Sequence, residues 1–205
     1  MHLLFLPGGA GAAEFWHPVG ALLSASHRKT YFSWPGLGAQ PPAPEITGFA
    51  DMLALVEAEM SAPCALIAQS MGCVPAMQLA LKYPEKISHL ILVATSGGID
   101  VARLGGEDWR PAYKAKFPQG ADWITTSAPD LSKQLARISC PTLLLWGDAD
   151  PISPVAVGEY LAKRIPKANL QIIVGGQHNL AQTHAAQVAS LITQHLGQQA
   201  WRDSI

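Results

Sequence analysis

The sequence predicts an α/β fold, a mostly parallel sheet of about six strands with helices on both faces. Three observations lead there. Short apolar runs alternate with segments of helical periodicity along the chain. The runs are continuously apolar, without the polar alternation of a strand that has one wet face, so both faces of the sheet must be covered. Turn residues such as Pro7-Gly8-Gly9, Pro35-Gly36 and Gly175-Gly176 punctuate the runs, as expected where strands feed helices in βαβ units.

The elements follow in order. Residues 3–6 are a short buried strand that stops at Pro7, and residues 15–23 read as a helix. Thr30-Tyr31-Phe32-Ser33-Trp34 is strand-like, and Gln40-Pro41-Pro42-Ala43-Pro44 is a short stiff loop. Ile46, Phe49, Ala50, Leu53, Val56 and Met60 recur at helical spacing, with Asp51, Glu57 and Glu59 on the other side. Pro63 precedes the apolar run from Cys64. The helix over residues 71–83 is apolar nearly all round and should be buried; Pro75 is tolerable because it lies near the first turn. Residues 90–93 and 142–146 are further strands. Ser153-Pro154 reads as an N-cap and first helical residue, opening a helix to Ile165. Residues 170–174 form the last strand, and Ala185, Val188, Ala189, Ile192 and Leu196 mark a closing helix.

Residues 97–138 break the alternation. They contain no clear strand but hold Trp109, Tyr113, Phe117 and Trp123. Such aromatics line a substrate pocket or form a satellite cluster that packs the segment down, and both readings stand at this point.

A chain of 205 residues with net charge -1, 49% apolar and 14% charged residues, fits one domain with a full core. No basic stripe is present to neutralise phosphates, so nucleic acid is not an expected partner. No apolar run has the length of a membrane helix. The first residues lack the basic region and long apolar stretch of a signal peptide. Cys64, Cys73 and Cys140 are sparse, without a CxxC spacing, and read as buried thiols in a reducing, cytoplasmic setting.

The chemistry concentrates at Ala68-Gln69-Ser70-Met71-Gly72. An apolar strand ends at a serine and a helix begins at once, a variant of the Gly-x-Ser-x-Gly elbow. A nucleophile at the apex of so tight a turn needs small residues two positions either side, and Ala68 and Gly72 comply. The plainer reading of Ser70 is a helix N-cap. As a nucleophile it needs a base, and a histidine held by a carboxylate is the template. Of seven histidines, His178 stands on a glycine-rich loop after the last strand. His184 lies near the start of the closing helix. His2 and His89 sit at strand starts, the wrong end of a parallel sheet. His17, His27 and His195 lie on or beside helices. Asp148 and Asp150 both follow the strand over residues 142–146. Asp148 suits the turn itself, whereas Asp150 lies beyond it; turn stabilisation is the plainer role for both.

Ser70, Asp150 and His178 stand in the chain order of the α/β-hydrolase triad, and the chain resembles that superfamily over nearly its whole length. Gly147-x-x-Asp150-x-x-x-Pro154 is similar to its acid loop, and Gly175-Gly176-Gln177-His178-Asn179-Leu180 to its histidine loop. Leu6-Pro7-Gly8-Gly9-Ala10-Gly11 resembles its oxyanion loop, and Tyr83-Pro84-Glu85-Lys86-Ile87 before Leu90-Ile91-Leu92-Val93 is also family-like. Four departures accompany the likeness. Two leading strands are missing, the insertion at 97–138 is short, Pro7 replaces a histidine, and Ala68 replaces the first elbow glycine.

The resemblance implies a single α/β-hydrolase domain over residues 1–205, with 97–138 as a short lid or insertion. It implies a serine hydrolase that cleaves a carboxylic ester with Ser70 as nucleophile, His178 as base and Asp150 as its orienting acid. The backbone N–H groups of Gly9 and Met71 would form the oxyanion hole, and Trp109 and Trp123 would line the substrate pocket. Thioester hydrolysis and carbon–carbon hydrolase or lyase chemistry reuse the same triad, and a non-catalytic small-ligand binder is the alternative of another class. The expected partner is a small ester or related acyl compound. Neither metal nor cofactor is implied, and the sequence does not address oligomeric state.

Overall fold

The computed structural model describes residues 1–61, 63–126 and 128–197. Along the chain lie β1 (His2–Leu6), α1 (His17–Leu22), β2 (Arg28–Tyr31), α2 (Phe49–Glu59), β3 (Cys64–Gln69), α3 (Cys73–Lys82) and β4 (Ile87–Val93). There follow α4 (Arg110–Lys116), β5 (Thr142–Gly147), α5 (Val155–Ala162), β6 (Ala168–Ile173), α6 (Leu180–Thr183) and α7 (Ala185–Leu196). The strands form one six-stranded sheet in the order β2-β1-β3-β4-β5-β6, every pair parallel.

The continuous apolar runs have a direct cause. Successive side chains of a strand point to opposite faces, and along the central strands β1, β3, β4 and β5 both faces are dry, whereas the edge strands β2 and β6 are partly exposed. Leu4, Leu66, Leu92, Leu144 and Trp146 face a core closed by Met52 and Val56 of α2, Met77 of α3 and Val157 and Leu161 of α5. Phe5, Ile67, Ile91 and Leu145 face the opposite core, closed by Val19 of α1 and by Val188 and Ile192 of α7. Parallel pairing brings all carboxyl ends to one edge, where the loops after β1, β3, β4, β5 and β6 meet.

Several expected boundaries shift, two of them because tertiary partners claim the residues. The second strand ends at Tyr31, and Trp34 leaves the sheet to donate its indole N–H to the Pro7 carbonyl at 2.7 Å. Ser153 is no N-cap. Its hydroxyl donates to the Thr95 carbonyl at 2.6 Å and accepts from Trp146 Nε1 at 3.1 Å, so Pro154 takes the cap position. Val174 lies beyond β6 and is exposed. The segment after β4 contains no strand among its described residues. Only α4 and short 3-10 turns interrupt it. It is pinned to the rest of the fold where Ala121 N–H donates to the Gly36 carbonyl and Glu107 N–H to the Pro151 carbonyl, and on itself where Leu131 N–H donates to the Gly98 carbonyl.

The three cysteines are buried and free. Burial pushes the Cys64 and Cys140 thiols up to about 11 and Cys73 to about 12, which leaves them poor nucleophiles at neutral pH.

At the amino end of the sheet, the rings of His89 and His195 meet edge to face, centroids 5.2 Å apart. Burial, assisted by His89, lowers His195 to about 4. Desolvation also lowers His2 and His27. The unfolded chain therefore takes up these protons near the ordinary histidine value of about 6.5 while the fold still resists them. With more protons bound to the unfolded state, stability falls as pH drops from about 6.5 to about 4. The expected loss from His195 is at most about 3 kcal/mol. Urea unfolding at pH 7 and pH 4.5 measures it, and His195→Leu should flatten the difference. A midpoint equally pH-dependent in that variant would assign the loss elsewhere.

Candidate active site

The first fixed point is the turn after β3. Ser70 has φ of 54°, a left-handed conformation that a non-glycine residue adopts only under local constraint, at a cost of about 1–3 kcal/mol. The constraint is packing on both sides. β3 is buried along its whole length, and the first turns after Ser70 press on the end of β1. A Cβ at Gly72 would stand 2.3 Å from the Pro7 carbonyl oxygen and 2.8 Å from that of Leu6. That approach explains the glycine two places after the serine, and Ser70 remains 7% exposed.

The second fixed point is the junction of the loops after β5 and β6. Gly147 lies so close to Gly176 that a Cβ on it would reach 2.0 Å from the Gly176 carbonyl oxygen. Ala149 N–H donates to that carbonyl at 3.0 Å. Asp148 Oδ1 accepts the Gly175 N–H at 2.6 Å, so Asp148 serves the turn. Asp150 points inward with its side chain wholly buried. Its Oδ1 accepts the N–H groups of Ile152 at 2.9 Å and Ser153 at 3.1 Å, and its Oδ2 meets His178 Nδ1 at 2.8 Å.

His178 closes the arrangement. Its Nε2 lies 2.8 Å from Ser70 Oγ, its side chain is 24% exposed, and Gln69 Nε2 donates to its carbonyl at 3.0 Å. A carboxylate only accepts, so the ring proton belongs on Nδ1, and Nε2 is free to accept from the serine hydroxyl. The structure thus joins Ser70, His178 and Asp150 in one hydrogen-bonded chain. His184 stands apart at the start of α7, its Nδ1 against Thr183 Oγ1.

A cavity of about 560 Å³ opens over Ser70 and His178. Gly9 and Met71 line it, as do Phe15, Trp109, Tyr113 and Phe117. Trp109 and Phe117 flank Tyr113 with ring centroids 5.6 and 5.2 Å away, and Tyr113 Oη accepts the Gly38 N–H at 2.9 Å. Trp123 is absent from the lining. Its ring packs edge to face on Phe49 of α2 at 5.5 Å, so the aromatics of 97–138 divide between pocket and packing. Two residues beside Ser70 escaped the sequence reading: Gln69, which ties the histidine loop to β3, and Ser96, whose Oγ lies 2.9 Å from Ser70 Oγ. A hydroxyl three residues past the carboxyl end of β4 was the available signal for Ser96. Among the described residues no group of three or more His, Cys, Asp or Glu side chains is placed to hold a metal ion, and no helix is long and apolar enough to cross a membrane.

Known proteins resemble this chain. BpoC of Mycobacterium tuberculosis strain H37Rv, named as a candidate non-heme bromoperoxidase, is 38% identical over 83% of this chain and 84% of its own length. The pimeloyl-[acyl-carrier protein] methyl ester esterase of Chromobacterium violaceum is 26% identical over 81% of this chain and 82% of its own. Among solved structures, a thermophilic esterase from Thermogutta terrifontis superposes with TM-score 0.78 at 21% identity, covering 96% of this chain and 89% of that one. The sequence profile of the alpha/beta hydrolase fold matches residues 1–123. With a parallel sheet of this order, a strained serine turn and relatives of this extent, the chain belongs to the α/β-hydrolase family.

Proposed function

We propose that this protein hydrolyses a carboxylic ester by way of an acyl-enzyme. The observation that carries the reading is the unbroken chain from Ser70 Oγ through His178 to the buried Asp150, opening onto a cavity with an aromatic wall. Ser70 attacks the carbonyl carbon while His178 Nε2 takes its proton. Asp150 keeps the ring proton on Nδ1 and stabilises the imidazolium. The backbone N–H groups of Gly9 and Met71 receive the oxyanion; one such donor is worth about 2.7–4 kcal/mol in the transition state. The start of α3 adds a favourable field for that charge. Proton return from His178 releases the alcohol, and water repeats the sequence on the acyl-enzyme. In this reading residues 97–138 are the lid of a single domain, and Trp109, Tyr113 and Phe117 meet the substrate. The named activity of the methyl ester esterase relative supports an ester over other acyl bonds.

The direct test is covalent labelling. A fluorophosphonate probe should modify the wild-type protein at Ser70, and Ser70→Ala should remain folded, lose the label and lose p-nitrophenyl ester turnover by several orders of magnitude. A folded Ser70→Ala that still hydrolyses esters refutes the assignment, and a wild type that resists the probe favours a binding protein.

The two aspartates separate on their contacts. Asp150→Asn should lower kcat by about a thousandfold or more, because the amide no longer fixes the tautomer that lets Nε2 accept. Asp148→Asn keeps an acceptor for the Gly175 N–H and should cost far less. Steady-state kinetics on the two folded variants decides between them, and the reverse order would move the acid to Asp148.

The histidines separate in the same way. His178→Ala should abolish turnover, and His184→Ala should leave it near wild type, because the His184 ring bonds the Thr183 hydroxyl at the start of α7 and is not part of the chain from Ser70 to Asp150. An inactive, folded His184→Ala beside an active His178→Ala would overturn the choice of base.

A further inference from the structure

Among the described residues only two non-glycine positions have positive φ, Ser70 at 54° and Ala94 at 45°. Both follow the ends of adjacent central strands, β3 and β4. The first explains itself as the elbow. The second has no glycine-type role in a hairpin, and strain of this kind persists only where its surroundings impose it. The surroundings are specific. Ala94 N–H donates to the Leu145 carbonyl of β5 at 3.1 Å. Thr95 is wholly buried; its hydroxyl lies 3.0 Å from the Gly97 carbonyl and 3.3 Å from that of Ser70. The Thr95 carbonyl takes the Ser153 hydroxyl at 2.6 Å, three residues from the acid Asp150. The kink thus fastens the end of β4 to the elbow and to the acid loop. It leaves Ser96, half-buried on the cavity wall, with its Oγ 2.9 Å from Ser70 Oγ.

The protons fix the direction of that bond. Ser70 has one hydroxyl proton, and it goes to His178 Nε2 at 2.8 Å. Ser96 must then donate to Ser70 Oγ. We propose that Ser96 is a second hydroxyl of the catalytic centre, a hydrogen-bond donor to the nucleophile whose main effect is to speed release of the acyl group. This rests on the ester-hydrolase reading.

Only an interaction stronger in the transition state than in the ground state accelerates a step. In the resting protein Ser70 Oγ is a hydroxyl oxygen and already accepts the Ser96 bond, so part of its benefit cancels during acylation. In the acyl-enzyme the same atom is the bridging oxygen of an ester, a poor acceptor. Water then adds to the carbonyl carbon as His178 Nε2 takes its proton. As the intermediate collapses, the carbon–Oγ bond breaks, its electron pair passes to Oγ, and Nε2 returns the proton to Oγ. The product acid carries the oxygen of water. Charge builds on Oγ during that cleavage, and the Ser96 hydroxyl is aimed at it in advance.

Stopped-flow kinetics with p-nitrophenyl acetate, with intact-mass detection of the acyl adduct, separates the two steps. Ser96→Ala should slow decay of the adduct by about tenfold or more, the worth of one hydrogen bond, and slow its formation by no more than about threefold. Ser96→Thr, which retains the hydroxyl, should restore the wild-type ratio of the two rates. If Ser96→Ala does not fold, Ser96→Cys, a weak donor of similar shape, should show the same selective slowing of decay. Equal slowing of both steps, or of neither, overturns the proposal. A wild type that neither hydrolyses the ester nor acquires the adduct overturns the ester-hydrolase reading and this inference with it. A wild type that acylates beside a Ser96→Ala variant with an unchanged ratio overturns this inference alone.

Discussion

The left-handed turn at Ser70 is the constraint on which the rest of the structure depends. It costs conformational energy, so it exists only if its neighbours leave no cheaper path. A flat, fully paired strand leads in, and an apolar helix buried on nearly every side leads out. Gly72 lets that helix start against the carbonyls of Leu6 and Pro7. Burial of β1, β3, β4 and α3 therefore holds the turn, and every other group at the carboxyl edge is set relative to it. A substitution deep in this core reaches the site by relaxing the turn, without touching any polar group.

The histidine and the acid are fixed by a different device. Their loops meet backbone to backbone at Gly147 and Gly176, where no side chain fits between, and the Ala149 and Gly175 amides lace them together. Main-chain contacts have few degrees of freedom, so the 2.8 Å separation of His178 Nδ1 and Asp150 Oδ2 is inherited from the sheet and does not depend on flexible side chains finding each other. Trp146 and Ser153 extend the same lacing to the end of β4. Three neighbouring strands thus present their loops as one unit.

This division explains what the sequence could reveal. The central strands were legible because both their faces are dry, which leaves uninterrupted apolar runs; the edge strands β2 and β6 are partly exposed, and their bounds were less clear. Ser70, Asp150 and His178 were legible because each follows such a run and is flanked by small or turn-forming residues. The rest depends on partners distant in the chain. Trp34 leaves its strand for Pro7, and Ser153 abandons a capping role for Thr95. Gln69 reaches His178 across the fold. None of these pairings follows from local propensity. Ser96 was hidden in the same way, since a serine after a strand is unremarkable until Ala94 is seen to be kinked. Trp109 and Trp123 sit in similar sequence surroundings, yet one lines the cavity and the other packs on Phe49; only the path of residues 97–138 separates them.

That path is held by fewer and more local ties than the sheet edge. Backbone bonds from Ala121 to Gly36 and from Glu107 to Pro151, and a side-chain bond from Gly38 to Tyr113, anchor it to other parts of the chain. Packing adds to these: Trp109, Tyr113 and Phe117 pack on one another, Trp123 packs on Phe49, and Ile124, Leu135 and Ile138 are buried in the core on one face of the sheet. Aromatic contacts tolerate repacking far better than a carbonyl tolerates an approaching Cβ. Ser70, His178 and Asp150 therefore sit on the unforgiving part of the structure, and the aromatic wall of Trp109, Tyr113 and Phe117 on the adjustable part. A change of substrate can proceed through residues 97–138 without disturbing the hydrogen-bonded chain from Ser70 to Asp150. Lys116 at the end of α4, the one Lys, Arg, Asp or Glu of the cavity wall among the described residues, belongs to this adjustable part, so the charge of the pocket can change as readily as its shape.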